Sequence, residues 1–132
     1  MEQSSESHNL ASQTEIHASL KAFDLLRQAA KEYNGAEYKF YQGGFFKYVR
    51  EGSTFLIEDI YIEQEYRGSE LSKLILNKFE SFMREENIIS YYGRVFFSSK
   101  DFHKRIKTFK KWGMLESCST SYYVTVSKLV EY

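Results

Sequence analysis

One run constrains this chain more than any other: an apolar strand passes through a short polar loop into an amphipathic helix. Ser53–Ile62 is rich in β-branched and aromatic residues and reads as the longest strand, interrupted by Glu58 and Asp59. Glu63–Gly68 reads as the loop. Ser69–Asn87 reads as a helix, with Leu71, Leu74, Ile75, Phe79, Phe82 and Met83 on one stripe. Lys73, Lys78, Glu80, Arg84, Glu85 and Glu86 fall mostly on its wet side. The first N–H groups of such a helix have no partner within it. Together with the positive end of the helix dipole they can hold a phosphate. Arg67 adds a planar donor fork at the edge of the loop.

The rest of the chain falls into place around that run. Residues 1–13 are Ser/Gln/Glu-rich without hydrophobic periodicity and read as a flexible tail, leaving 14–132 as one domain. Ser12-Gln13-Thr14-Glu15 fits a capping box. A helix follows, with Ile16, Leu20, Phe23, Ala30 and Tyr33 at helical spacing and Asn34-Gly35 as its stop. It is expected to cover one face of a sheet. Ala36–Gln42, a Gly43-Gly44 turn, Phe45–Arg50 and a Glu51-Gly52 turn predict an antiparallel meander into the long strand. Beyond the central helix, Tyr91–Phe97 is a strand. Ser98 or Ser99 caps a helix over Lys100–Trp112, which Gly113 ends. Met114–Glu116 and Ser121–Leu129 form a closing hairpin. The strand–loop–helix–strand unit requires a parallel pairing and the meanders antiparallel ones. The predicted class is therefore α/β (α+β): a mixed, mostly antiparallel sheet with helices on both faces.

Composition excludes several function classes. Lys+Arg and Asp+Glu balance at 18 each over 132 residues, so no global field draws the chain to nucleic acid or membrane. The 42% hydrophobic and 17% aromatic content is too high for a disordered protein. Cys118 is the only cysteine, which excludes an internal disulfide and argues against a cysteine metal site. Neither a signal sequence nor an apolar run of membrane-spanning length is visible, so a cytoplasmic protein is expected.

Several residues invite a chemical reading. Glu58 or Asp59 reads as a general base, since a carboxylate in an apolar strand is raised by desolvation. The plainer reading is that one of them faces solvent, because adjacent strand residues point to opposite faces. Lys100, Lys104, Arg105, Lys107, Lys110 and Lys111 form a basic stretch that fits a phosphate or a nucleic-acid backbone. It equally fits the solvated face of an amphipathic helix with Phe102, Ile106 and Phe109 inside, and that reading is preferred. His103 lies in that helix, and His8 and His17 make no metal-ligand spacing with it. Tyr91-Tyr92 and Tyr122-Tyr123 fit packing in the sheet, with Tyr122 or Tyr123 also placed to line a cleft.

The stretch from Ile60 to Leu74, with its Tyr66-Arg67-Gly68 centre, resembles the strand, "xxYRGxGxGxxL" loop and helix of the GNAT N-acetyltransferases. Phe109-Lys110-Lys111-Trp112-Gly113-Met114, followed by a Tyr-rich strand, is similar to that family's "YxxxGF" helix end and final hairpin. The likeness covers roughly Ala36 to Val130. It implies an acetyl-CoA-dependent N-acetyltransferase acting on a small-molecule or protein amine. It places Arg67, Gly68, Ser69, Leu71 and Ser72 at the pyrophosphate, Ile60 and Ile62 on the strand that pairs with the pantetheine arm, and Glu58 at the catalytic carboxylate. No metal is implied. Three positions depart from the pattern: Glu70 replaces a glycine of the loop, Phe109 replaces the tyrosine that protonates the leaving thiolate, and Phe102 replaces an asparagine. The resemblance also admits a non-catalytic binding or assembly protein with protein partners or a second copy of itself. Folds of this kind with weakened motifs occur among bacteriophage proteins, including components of the virion.

Overall fold

The computed structural model describes residues 20–68 and 70–132. The chain forms two compact units, Met1–Gly35 and Ala36–Tyr132. The described part of the first is a helix, α1, at residues 20–34. It stops at Gly35 as predicted. That residue takes φ 65° and its N–H reaches the Lys31 carbonyl at 3.0 Å. The predicted tail and capping box lie outside the described residues.

The second unit runs β1 (Ala36–Tyr41), β2 (Gly44–Glu51), β3 (Thr54–Ile62), a 3-10 turn (Gln64–Tyr66), α2 (Glu70–Glu85), β4 (Ser90–Phe96), α3 (Phe102–Lys111), β5 (Leu115–Ser119) and β6 (Tyr123–Leu129). The strands form one sheet in the order β1-β2-β3-β4-β6-β5. Every neighbouring pair is antiparallel except β3–β4, the two strands joined through α2. This is the mixed, mostly antiparallel sheet that the sequence predicts.

Phe46, Tyr48, Phe55, Ile57, Tyr91, Val95, Val124 and Val126 alternate along four strands and share a face. Ile75, Leu76, Phe79 and Met83 of α2, with Ile106 and Trp112 at α3, close the same core. Phe79 is fully buried at its centre, its ring 4.1 Å from that of Phe46 and tilted by 9°. The buried stripe of α2 is rotated from the predicted one. It includes Ser72 and Glu80, whereas Leu71 and Leu74 are 46% and 52% exposed. Glu80 is buried because Lys128 Nζ of β6 reaches both its carboxylate oxygens, at 2.9 and 3.1 Å. Beside this pair the Tyr91 hydroxyl is buried. Burial, then the Glu80 charge, pushes its pKa well up. The Ser98 or Ser99 cap is also corrected. A turn from Phe96 to Ser99 occupies those residues, and α3 starts after Asp101, which sits in the left-handed region at φ 60°.

Candidate functional site

The parallel pairing of β3 and β4 is short. It runs from Thr54–Ser90 to Ile57–Gly93 and ends. β3 continues to Ile62 against β2 alone, and β4 continues to Phe96 against β6 alone. The two strands therefore diverge into a wedge with Gly93 at its apex. Among the described residues, the edges facing that wedge have no ladder partner. An extended ligand can pair with such an edge as an added strand does.

A β-bulge lies beside the apex. Lys47 of β2 pairs with Asp59 while Tyr48 pairs with Ile57, so Glu58 has no partner across the ladder. The bulge puts two consecutive carboxylates outward. Glu58 and Asp59 are both exposed, between the inward Ile57 and the core-packed Ile60. The alternation rule, under which one of the two would turn to the opposite face, fails here for that reason. Glu58 is not alone: the Lys47 ammonium lies 3.5 Å from its carboxylate. Lys47 also stands over the Tyr38 ring at 5.8 Å. Ile60 and Ile62 point into the core. Only their backbone groups can serve a ligand in the wedge, and the Ile62 carbonyl already accepts from Arg67 Nε at 2.7 Å.

The loop at the end of β3 is held from behind. The Glu63 N–H donates to the Gly43 carbonyl in the β1–β2 turn at 2.7 Å. The Tyr66 ring lies flat on Gly43, where a Cβ would come within 2.8 Å of it. Gly43 also has φ 94°, so this position needs glycine twice over. Arg67 is extended, with its guanidinium 5.4 Å over the Tyr61 ring. Gly68 reverses the chain at φ 66° just before α2. Ser69 lies outside the described residues. Leu71 is exposed and Ser72 is buried in the first turns of the helix. Glu70, exposed at the N-terminus of α2, puts a carboxylate where the helix dipole favours an anion.

The second sequence motif has a conformational explanation. Gly113 takes φ 88°, its N–H bonds the Lys110 carbonyl at 3.0 Å, and the Met114 N–H reaches the Phe109 carbonyl at 3.0 Å. This is a glycine stop for α3. Phe109 packs on Trp112 at 5.7 Å and Phe102 on Phe97 at 4.9 Å. The basic residues of α3 are exposed, and so is His103. Tyr91 is buried, while the Tyr92 hydroxyl donates to Glu51 at 2.6 Å. Tyr122 is 75% exposed, and Tyr123 packs against Phe96 at 5.4 Å. Among the described residues no group of three or more His, Cys, Asp or Glu is placed to hold a metal ion, and no helix is long and apolar enough to cross a membrane.

The wedge, the bulge carboxylate and the loop thus come together at one end of β3. Sequence reasoning missed two contributors. Lys47 pairs with Glu58 only through strand register, and Gly43 was legible only as a turn.

No family model and no curated protein sequence matches the chain. Solved structures do. The PaiA N-acetyltransferase of Thermoplasma acidophilum, in complex with coenzyme A, superposes with a TM-score of 0.60 at 14% identity, over 76% of this chain and 65% of that one. An acyl-CoA N-acyltransferase from Klebsiella pneumoniae gives 0.59 at 15% identity, over 86% and 88%. A Bacillus subtilis acetyltransferase in complex with CoA gives 0.58 at 10% identity, over 80% and 84%. The chain spans 64% of the length of Ard1 from Thermoplasma volcanium, at 18% identity and a TM-score of 0.54. The fold is that of the GNAT acetyltransferases.

Proposed function

We propose that the protein is an acetyl-CoA-dependent N-acetyltransferase. The observation that carries this reading is the wedge that opens between β3 and β4 beside the Glu58 bulge, with a helix-start loop at its rim. The residues present suit acetyl-CoA. The free strand edges offer backbone partners to an extended amide chain. Gly68 and Glu70 at the start of α2 lie where backbone N–H groups would meet a pyrophosphate, and Arg67 adds charge. Acetyl-CoA would supply a thioester-activated acyl group. At the apex, Glu58 would accept the proton of the attacking amine, directly or through a water. Nitrogen forms its bond to the acyl carbon, the carbon–sulfur bond breaks, and the thiolate is protonated from solvent, since Phe109 carries no acidic proton. Lys47 positions the Glu58 carboxylate. Continuous measurement of free thiol during incubation with acetyl-CoA and a panel of amines tests the reading. Amine-dependent thiol release supports it, and none from any amine removes it.

A second reading, a non-catalytic binding or assembly protein, is favoured by Glu70. Its carboxylate stands at the helix terminus that a pyrophosphate would use. Under that reading acetyl-CoA neither binds nor reacts.

A further inference from the structure

The sheet face opposite the core carries an ordered set of side chains that core packing does not explain. Phe40 of β1, Phe45 of β2 and Tyr61 of β3 stand opposite one another in the registers of the two ladders. Their ring centroids are 5.8 Å apart from Phe40 to Phe45 and 5.9 Å from Phe45 to Tyr61, the latter pair stacked. The next rung on the same face is Tyr38, Lys47 and Asp59. Through the bulge it also takes in Glu58. An aromatic rung therefore lies two residues, roughly 7 Å along the strands, from a charged rung that contains the candidate base. Phe40 and Tyr61 keep 37% and 48% of their surface exposed.

We infer that this face is the acceptor subsite, and that it selects a primary amine carried by a short tether on a flat aromatic body. The inference rests on the acetyltransferase reading. The ring would lie on Phe45 and its neighbours, where offset stacking adds to apolar burial. The ammonium would reach the carboxylate rung. Lys47 is engaged by Glu58 at 3.5 Å, whereas Asp59 has no ion-pair partner among the described residues and supplies the attraction. Glu58 then takes the proton as nitrogen attacks. The same charges disfavour a nucleic acid on this strip. Stacked rings with free cations would suit one, but here Lys47 is paired with Glu58, and two carboxylates face the phosphates.

The test compares tryptamine with spermidine, two primary amines of which only one has an aromatic body. Acetylation is followed by thiol release, and binding of tryptamine by saturation-transfer NMR without cofactor. The full chain is set against Phe45→Leu, with its fold checked by circular dichroism. Tryptamine is expected to be the better substrate. Phe45→Leu is expected to raise its KM about ten-fold and to weaken its NMR saturation, with acetyl-CoA affinity unchanged. Acetylation of spermidine in preference to tryptamine, indifferent to Phe45→Leu, overturns the inference and leaves the acetyltransferase reading standing. Tryptamine saturation that needs Phe45 but no thiol release from any amine removes the enzyme and upholds the aromatic amine site. Tight, salt-sensitive binding of an oligodeoxynucleotide that is lost in Phe45→Leu also overturns it. Should Phe45→Leu not fold, Asp59→Asn serves, with a higher KM for tryptamine and unchanged acetyl-CoA binding expected.

Discussion

The Lys47 ammonium stands 3.5 Å from the Glu58 carboxylate, across a ladder in which Glu58 itself has no paired residue. Both side chains are a quarter to a third exposed, so the pair adds little to stability, under about 1 kcal/mol. Its consequence is orientation at the apex of the wedge. Lys47→Met should therefore leave the melting temperature nearly unchanged while lowering kcat about ten-fold, the scale of one charge-assisted contact. Thermal denaturation together with steady-state kinetics checks this. A large loss of stability with intact kcat would contradict it.

Removing the base itself should cost more. Glu58→Gln keeps shape and removes proton affinity, and loss of a general base lowers kcat by roughly a hundred-fold or more. Steady-state thiol release checks this, and an unchanged kcat takes Glu58 out of the mechanism.

The seat of the loop gives a further prediction. Gly43→Ala puts a methyl group within 2.8 Å of the Tyr66 ring and forces a side chain into φ 94°. The loop must move off the β1–β2 turn. We expect acetyl-CoA affinity to fall with a loss of roughly 1–3 kcal/mol in stability, measured by calorimetry and by denaturant melts of the same variant.

The core should fail elsewhere and independently. Phe79 is fully buried against Phe46, so Phe79→Ala should cost about 3–5 kcal/mol. Urea titration monitored by circular dichroism reads it directly.

Alkaline stability follows from the tyrosines. Burial, with a smaller contribution from Glu85, pushes Tyr41 up to about 12 from the 10.0 of a free tyrosine. Burial raises Tyr48 and Tyr91 as well. A folded-state pKa above the unfolded one means that the folded state holds more protons, so the stabilisation is full below pH 10 and is lost through about pH 12. Denaturant midpoints should fall over that window. Phenolate absorbance should then appear in two steps, exposed tyrosines first and buried ones with unfolding.

The order of elements was legible because each has a local cause: glycines in turns, β-branched runs, a 3.6-residue apolar stripe. What was not legible depends on pairing across distance. Glu80 sits at a polar position of its helix by sequence, and only Lys128 of β6 makes it a buried residue. The bulge at Glu58 appears only when β2 and β3 are set in register, and with it the outward turn of both carboxylates. Arg67 and Gly68 were found by motif. Lys47 and Gly43, which hold the base and the loop, carry no motif of their own.

The central claim is that the β3–β4 wedge and its loop bind acetyl-CoA, and titration calorimetry tests it most directly. The account predicts saturable binding to the wild-type chain. Glu70→Gly should tighten it by removing the carboxylate at the helix terminus, and Arg67→Ala should weaken it about ten-fold. No heat at millimolar acetyl-CoA with either the wild-type chain or Glu70→Gly would contradict the account.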